Sequence, residues 1–167
     1  GADVGLFSIY LLNLLSLQPG EALFMEAGIP HAYVNGNIIE CMANSDNVVR
    51  AGLTPKFQDK NTLMDILTYS SGEVAILGDS AAKRKTVYPA PVEEFVLSRI
   101  QIQAGEREKL GLGKPAIALV LNGEIEVKSK HGSEKFYRGQ SIFFPACLPE
   151  AALVACDDSL VFVATVP

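Results

Sequence analysis

Two Asn-Gly dipeptides, Asn35-Gly36 and Asn122-Gly123, each lie between short apolar segments, and they constrain the fold more than any other feature. Asparagine and glycine both tolerate positive φ angles, so an Asn-Gly pair in this setting is typical of a two-residue β-hairpin turn. The second pair joins residues 116–121, which read as a buried strand, to residues 125–127. Many short strands with such turns predict a sandwich or a small barrel rather than an α/β fold.

Other apolar segments extend this pattern. Runs and alternations of apolar side chains predict further strands over residues 11–17, 22–26, 95–103, 141–145 and 160–166. A turn in which Pro19 is followed by Gly20 ends the first of these strands. One helix is predicted, with Thr62 as its cap and Asp65 three residues on, and Ser70-Ser71-Gly72 stops it.

The composition bounds the domain organisation. Residues 72–91 contain Gly, Ser, charged residues and two prolines, which predicts a linker between a unit at 1–71 and a unit at 92–167. Of the 167 residues, 49% are hydrophobic, a high share for a complete soluble domain of this size. We therefore expect some apolar surface to be covered by something outside the chain.

Charge and cysteine content exclude several classes of function. The net charge of −5 argues against a nucleic-acid-binding protein, which would carry a basic face. The apolar run at 6–17 is interrupted by polar residues and is too short to cross a bilayer, so no membrane association is expected. Cys41, Cys147 and Cys156 are irregularly spaced, which favours reduced thiols and a cytoplasmic location over a disulfide framework.

One spacing occurs twice. The segment 20–35 reads Gly, five residues, Glu-Ala-Gly, two residues, His31, three residues, Asn, which resembles the second motif of the cupin barrels with Glu26 in place of a proline. Gly139 begins a second copy, in which Glu150 occupies the position of the metal-binding histidine. The chain is therefore expected to contain parts of two jelly-roll barrels, one with a metal ligand and one degenerate and free of metal.

His31 does not complete a metal site by itself. Catalytic zinc takes three protein ligands and keeps an open position. Glu26, Glu40, Asp46 and the thiol of Cys41 are near in sequence, but none forms a His-x-His or His-x3-His pattern with His31. Two alternatives follow: further ligands lie outside the chain, or His31 binds no metal.

Arg50 and Lys56 lie six residues apart in a segment with Gly52 and Pro55, which indicates an irregular loop. Two cations on one loop can clamp a phosphate or stabilise a developing enolate. The alternative is a pair of ordinary surface cations. His131, in a Ser-Lys-His-Gly-Ser sequence, is expected at a solvent-exposed hairpin tip.

The strings PGEALFMEAGIPHAY and IIECMANSDNVVRAGLTPKF strongly resemble the C-terminal portion of the type I mannose-6-phosphate isomerases (phosphomannose isomerases), which belong to the cupin superfamily. The resemblance implies a mainly β protein of cupin-like jelly-roll barrels with one short helix. It also implies a zinc-dependent aldose–ketose isomerase that interconverts mannose 6-phosphate and fructose 6-phosphate, in the carbohydrate metabolism that leads to GDP-mannose.

The resemblance assigns roles to six residues. It implies that the zinc ligand is His31, the catalytic arginine Arg50, the proton-shuttling base Glu40, the phosphate-binding lysine Lys56, and the pocket-lining residues Tyr33 and Asp46. The family's other three zinc ligands, a Gln-x-His pair and a glutamate, belong to an N-terminal half that this chain does not contain. We therefore expect the chain alone to bind zinc weakly, to be inactive, and to associate with itself or with that half.

Two other functions are compatible with single features. A non-catalytic double-cupin sugar-binding module would use His31 as a structural residue, but it has no need of the complete Arg50 to Lys56 string. A metal-dependent cupin dioxygenase would need two or three suitable histidines, and the chain has one.

Overall fold

The computed structural model describes residues 3–45, 47–78, 83–111 and 113–167. A 3-10 turn at Val4–Phe7 leads directly into the first helix. The helices are α1 (Ser8–Leu11) and α2 (Lys60–Ile66). The strands are β1 (Glu21–Ala22), β2 (Leu77–Gly78), β3 (Lys85–Tyr88), β4 (Val96–Ile102), β5 (Arg107–Gly111), β6 (Ala116–Asn122), β7 (Glu124–Ser129), β8 (Gly132–Tyr137), β9 (Ser141–Phe144), β10 (Glu150–Ala155) and β11 (Ser159–Thr165).

Two antiparallel sheets form the sandwich. One has the strand order β5-β10-β7-β8 and the other β3-β4-β11-β6-β9, while β1 and β2 pair separately. Alternate side chains of each strand point into one shared core, as Ile100 and Val161 of the larger sheet and Ile125 and Leu153 of the smaller sheet illustrate, each fully buried. The expectation of a mainly β, cupin-like fold is confirmed.

The second half, from β3 to β11, follows its sequence pattern in five of its nine strands. The strands predicted over 95–103, 116–121, 125–127, 141–145 and 160–166 correspond to β4, β6, β7, β9 and β11. Five strands were not predicted: β2, β3, β5, β8 and β10. Strand β3 lies inside the range 72–91 that was predicted as a linker, and it pairs with β4, so this part of the range belongs to the larger sheet. Residues 79–82 of that range lie outside the described residues.

The predicted hairpin at Asn122-Gly123 is wrong. Strand β6 pairs with β11 and β9, whereas β7 pairs with β10 and β8, so the chain crosses from one sheet to the other at this point. Gly123 has a φ of 82°, and a Cβ there would lie 2.7 Å from the carbonyl oxygen of Asp158. The Asp157 carboxylate accepts a hydrogen bond from the Glu124 amide at 2.6 Å. The positive φ of Gly123 therefore lets the chain turn from one sheet to the other.

Strand predictions in the first half are mostly wrong. Residues 11–17 do not form a strand, because α1 includes Leu11 and the leucines that follow are exposed. The predicted strand at 22–26 is reduced to β1, which pairs with β2 across Ala22 and Leu77. Gly36 has the positive φ of a turn, but no ladder joins its flanks within the described residues. The sequence pattern indicates which segments could pair as strands. Within the described residues, most of these segments have no neighbouring strand with which to pair.

The predicted helix exists as α2, but its cap differs from the prediction. The carboxylate of Asp59 accepts hydrogen bonds from the Thr62 amide at 3.1 Å and the Thr62 hydroxyl at 2.7 Å. Thr62 is therefore the donor in the first turn, and Asp59 is the cap. Helical backbone ends at Ile66, before the predicted Ser-Ser-Gly stop, because Leu67 is extended.

Burial divides the chain into two regions. Among the described residues, every buried side chain lies at or after Thr86. Residues 3–78 instead expose large apolar side chains, among them Tyr10 (80% exposed), Leu14 (87%) and Phe57 (85%). The larger part of the apolar surface anticipated from the composition is therefore located in this first region.

Candidate functional site

The turn before His31 is fixed against the end of helix α2. The Ile29 amide donates to the Glu26 carbonyl, and the Gly28 carbonyl accepts a hydrogen bond from the Thr68 amide at 3.0 Å. Gly28 has a φ of 82°, and a Cβ there would lie 2.5 Å from the Ile66 carbonyl oxygen. Only glycine combines this conformation with so close an approach of two backbone segments. The end of α2 therefore sets the position of the turn that leads to His31.

The imidazole of His31 is exposed and oriented by the backbone. Its Nδ1 lies 3.0 Å from the Ile29 carbonyl oxygen. With the ring proton on Nδ1 donating to that carbonyl, Nε2 carries the lone pair that a metal ligand needs. The ring of Tyr33 meets the imidazole edge to face, with centroids 5.8 Å apart and planes at 61°.

Tyr33 connects the His31 turn to Glu40. Its hydroxyl donates a hydrogen bond to Oε1 of Glu40 at 2.7 Å. Partial burial, followed by the hydrogen bond and the negative charge of Glu40, raises the pKa of Tyr33 to about 12. The phenol therefore stays protonated near neutral pH and remains a donor to this carboxylate. The structure thus brings together three of the residues predicted from sequence: His31, Tyr33 and Glu40.

The loop that contains Arg50 and Lys56 is held by Asp3. One carboxylate oxygen of Asp3 accepts from the Gly5 amide at 2.8 Å, and the other accepts from the Leu53 amide at 2.9 Å. Leu53 has a φ of 53°, a left-handed conformation that is uncommon for a residue with a branched side chain. Asp3 therefore stabilises an unfavourable backbone conformation midway between Arg50 and Lys56.

Arg50 is half-buried and Lys56 is exposed. The Lys56 amide donates to the Thr54 hydroxyl at 3.2 Å, which tightens the end of the loop. Within the described residues, no hydrogen bond or ion pair joins either cation to His31, Tyr33 or Glu40. The structure therefore places the predicted site residues in two groups, one around Tyr33 and one on this loop.

The other candidate residues from the sequence are Asp46, His131 and Cys41. Asp46 lies outside the described residues. His131 is exposed at the tip of the β7–β8 hairpin, as expected. Burial raises the pKa of the Cys41 thiol. In the described part of the chain, no three side chains of His, Cys, Asp or Glu gather into a group that could hold a metal ion.

Sequence reasoning missed Asp3, Gly28 and Leu53 as supports of the site. Gly28 had a signal, since a glycine at the centre of a turn motif often has positive φ. Asp3 and Leu53 had none, because their hydrogen bond joins residues 50 positions apart.

The two antiparallel sheets of residues 85–165 give the class of protein first, since they match a cupin-like fold. The His31 turn lies outside these two sheets. The chain is 40% identical over 153 residues to the mannose-6-phosphate isomerase of Rattus norvegicus, a match that covers 86% of this chain and 36% of that protein. It is 40% identical over 154 residues to the probable mannose-6-phosphate isomerase of Dictyostelium discoideum, covering 86% of this chain and 34% of that protein. No family model matches the chain.

Solved structures agree with these relatives. The mannose 6-phosphate isomerase of Salmonella typhimurium, bound to fructose 6-phosphate and zinc, matches with a TM-score of 0.83 and 32% identity, covering 98% of this chain and 42% of that one. A zinc-bound mannose 6-phosphate isomerase also matches with a TM-score of 0.83. The chain belongs to the mannose-6-phosphate isomerase family, and the resemblance to its C-terminal portion is confirmed.

The match is partial with respect to the relatives. The chain spans about a third of the length of the curated relatives that it matches.

None of the helices in the described ranges has the length and apolar content needed to cross a membrane.

Proposed function

We propose that this chain forms one side of the active site of a zinc-dependent isomerase that interconverts mannose 6-phosphate and fructose 6-phosphate. The observation that carries the proposal is the group formed by His31, Tyr33 and Glu40. His31 is a side chain of the kind that binds metals, and the ring of Tyr33 lies against it. The Tyr33 hydroxyl donates a hydrogen bond of 2.7 Å to Oε1 of Glu40 and so holds this carboxylate in place. The Arg50 to Lys56 loop adds two cations of the kind that a sugar phosphate requires.

His31 is the zinc ligand of this proposal. The described residues hold one such imidazole and no group of three donors, so they fit one ligand of a zinc site and not the complete site. The remaining ligands are expected in the N-terminal half that the family possesses. Zinc, when bound in the complete enzyme, polarises an oxygen or orients the substrate.

Glu40 is the proposed base. An aldose–ketose isomerisation removes a proton next to a carbonyl and returns it to the adjacent carbon, and a positioned carboxylate can carry it. The Tyr33 hydroxyl occupies one oxygen of Glu40, and the other oxygen has no partner among the described residues. Tyr33 thus orients the carboxylate while leaving Oε2 free to accept the proton.

Arg50 and Lys56 are the proposed binders of the negative charges of the substrate and of its enediolate. A guanidinium stabilises the charge that develops on the enediolate oxygen, while a lysine ammonium meets the phosphate dianion. Holding the loop at Leu53 through Asp3 limits how far these cations can move relative to one another. Asp46 and Tyr33 are proposed to line the sugar pocket.

The rest of the enzyme is the proposed partner of the exposed apolar surface. Residues 1–71 then form the C-terminal part of the catalytic barrel, and residues 92–167 form the degenerate barrel without metal. Covering one exposed leucine contributes roughly 1.5–3 kcal/mol, so the side chains of the first region favour association strongly. We expect the chain alone to self-associate, and the thiols of Cys41, Cys147 and Cys156 support a cytoplasmic location.

The test is an isomerase assay of the chain alone and after mixing with the separately made N-terminal half of a full-length relative. We expect no activity from the chain alone and measurable activity after mixing. Arg50→Lys in the mixture should lower kcat by about 10²–10³, because one positioned donor to the developing charge is lost. Arg138→Lys, in an exposed turn outside the site, should leave activity unchanged.

Three results would count against parts of the proposal. Activity of the chain alone would show that the site is complete without further ligands. Equal activity of the Arg50→Lys and Arg138→Lys mixtures would remove Arg50 from the reaction. If two folded halves fail to produce activity on mixing, the proposed complementation is wrong.

A non-catalytic sugar-binding module is the second candidate. The lack of a three-donor group among the described residues favours it, since a binding module needs no complete zinc site. Calorimetry of the chain alone with mannose and with mannose 6-phosphate separates the two functions. Binding of unphosphorylated mannose that His31→Ala leaves unchanged would support the module, whereas the isomerase proposal predicts no such binding.

A further inference from the structure

A small cleft of about 120 Å³ opens on the outer face of the smaller sheet. Its charged lining residues are Arg107, Lys109, Lys128, Lys130 and Glu150, and its other lining residues are the small Ser129, Ala151 and Ala152. Four cations and one carboxylate give this cleft an excess of positive charge, although the chain as a whole has a net charge of −5. The cleft shares no residue with the candidate site.

Strand register explains how the cations gather. Ala152 of β10 lies directly opposite Lys109 of β5 on one side and Lys128 of β7 on the other. Directly opposed residues share a face of an antiparallel sheet, so both lysines flank this alanine. The neighbouring Val127 and Leu153 point the other way, into the core. Because the side chain of Ala152 is only a methyl group, it leaves space between the ammonium groups of Lys109 and Lys128.

Most of this charge is not neutralised within the protein. Lys128 pairs with Glu126 at 3.0 Å, but the side chains of Arg107, Lys109 and Lys130 make no ion pair within the described residues. Glu108 lies between Arg107 and Lys109 in sequence, yet it faces the opposite side of β5 and pairs with Arg84 at 3.4 Å and Lys85 at 3.6 Å. Alternation along β5 therefore separates the carboxylate from the two cations that line the cleft.

We infer that this cleft binds the phosphate group of a small hydroxylated phosphate ester. A phosphate dianion offers several acceptor oxygens to cations that approach from three directions, as those on β5, on β7 and at the hairpin tip do. Glu150 at the edge of the cleft can only accept hydrogen bonds when ionised, so it suits a hydroxyl group next to the phosphate. This inference does not rest on the proposed function.

The test is calorimetry and amide NMR of the chain with glycerol phosphate and with inorganic phosphate. We expect the Lys109→Gln/Lys128→Gln variant to raise both dissociation constants by about tenfold, because two charge-assisted contacts are lost. Lys60→Gln/Lys114→Gln changes the net charge equally outside the cleft and should leave both constants unchanged. Glu150→Gln should weaken glycerol phosphate several-fold without weakening inorganic phosphate.

The location of the amide shifts decides the outcome. Shifts confined to β5, β7 and β10 support the inference, and equal weakening by Glu150→Gln of both ligands would overturn the role of the carboxylate. Equal effects of the two double variants, or shifts at Arg50 to Lys56 instead, would overturn the cleft as the binding site. Circular dichroism checks folding, and Lys130→Gln, at an exposed hairpin tip, provides the same comparison if the double variant does not fold.

Discussion

The contact between the His31 turn and helix α2 leads to a quantitative prediction for Gly28→Ala. Alanine at a φ of 82° carries a cost of about 1–2 kcal/mol from the left-handed backbone alone. Its Cβ would also lie 2.5 Å from the Ile66 carbonyl oxygen, closer than such atoms approach in proteins. The two segments must therefore separate, and the hydrogen bond from the Thr68 amide to the Gly28 carbonyl is lost at a further cost of roughly 0.5–1.5 kcal/mol.

Gly36→Ala is the matched control. Gly36 has a φ of 116°, but a Cβ there meets no atom within 4 Å, so the control reports backbone strain without a clash. Hydrogen exchange of the Thr68 amide measures the opening of the contact. Relative to Gly36→Ala, we expect Gly28→Ala to speed this exchange by at least about tenfold, which corresponds to about 1.4 kcal/mol. Equal exchange in the two variants would refute the reasoning that α2 positions the turn.

Three further predictions concern the core, the helix and the tyrosine. Leu153→Ala, at a fully buried position, should lower the free energy of unfolding by about 2–5 kcal/mol in urea denaturation. Asp59→Ala should reduce helix content in circular dichroism and cost about 1 kcal/mol, since the cap of α2 is removed, whereas Lys60→Ala should not. Ultraviolet titration should find Tyr33 with a pKa of about 12, a step that disappears in Tyr33→Phe, while Tyr88, whose pKa is also raised by burial, still titrates. The folded-state pKa of Tyr33 is raised above its ordinary value of 10.0. The contribution of Tyr33 to stability is therefore complete below pH 10 and is lost as the pH rises towards 12. Titration of all tyrosines at the ordinary pKa would contradict this prediction.

Five of the nine strands of the second half could be predicted, because their pairing and burial lie within the chain. Ile100 and Ile102 of β4 and Val161 and Val163 of β11, for example, enter the core. The Asn122-Gly123 pair shows where such reasoning fails, since a glycine with positive φ, such as Gly123, is compatible with either a hairpin turn or a crossing between sheets. Which of the two forms depends on the distant Asp157 and Ser159, which hold the Glu124 backbone.

The first half could not be predicted in the same way. A segment such as residues 11–17 has strand-like composition, but a strand also requires a neighbour, and composition does not identify one. For the candidate site, the resemblance identified His31, Tyr33 and Glu40, and two of these are joined directly in the structure. The Asp3 to Leu53 contact depends on long-range geometry, so no local pattern could have indicated it.

Zinc content is the most direct test of the claim that the chain forms one side of a shared site. The chain is dialysed against a trace of zinc, alone and after mixing with the N-terminal half of a relative, and the metal is measured per chain. We expect far less than one zinc per chain alone, and about one per complex after mixing, with His31→Ala preventing the gain. One tightly held zinc per chain alone, lost in His31→Ala, would contradict the account, because the described residues gather no set of three ligands.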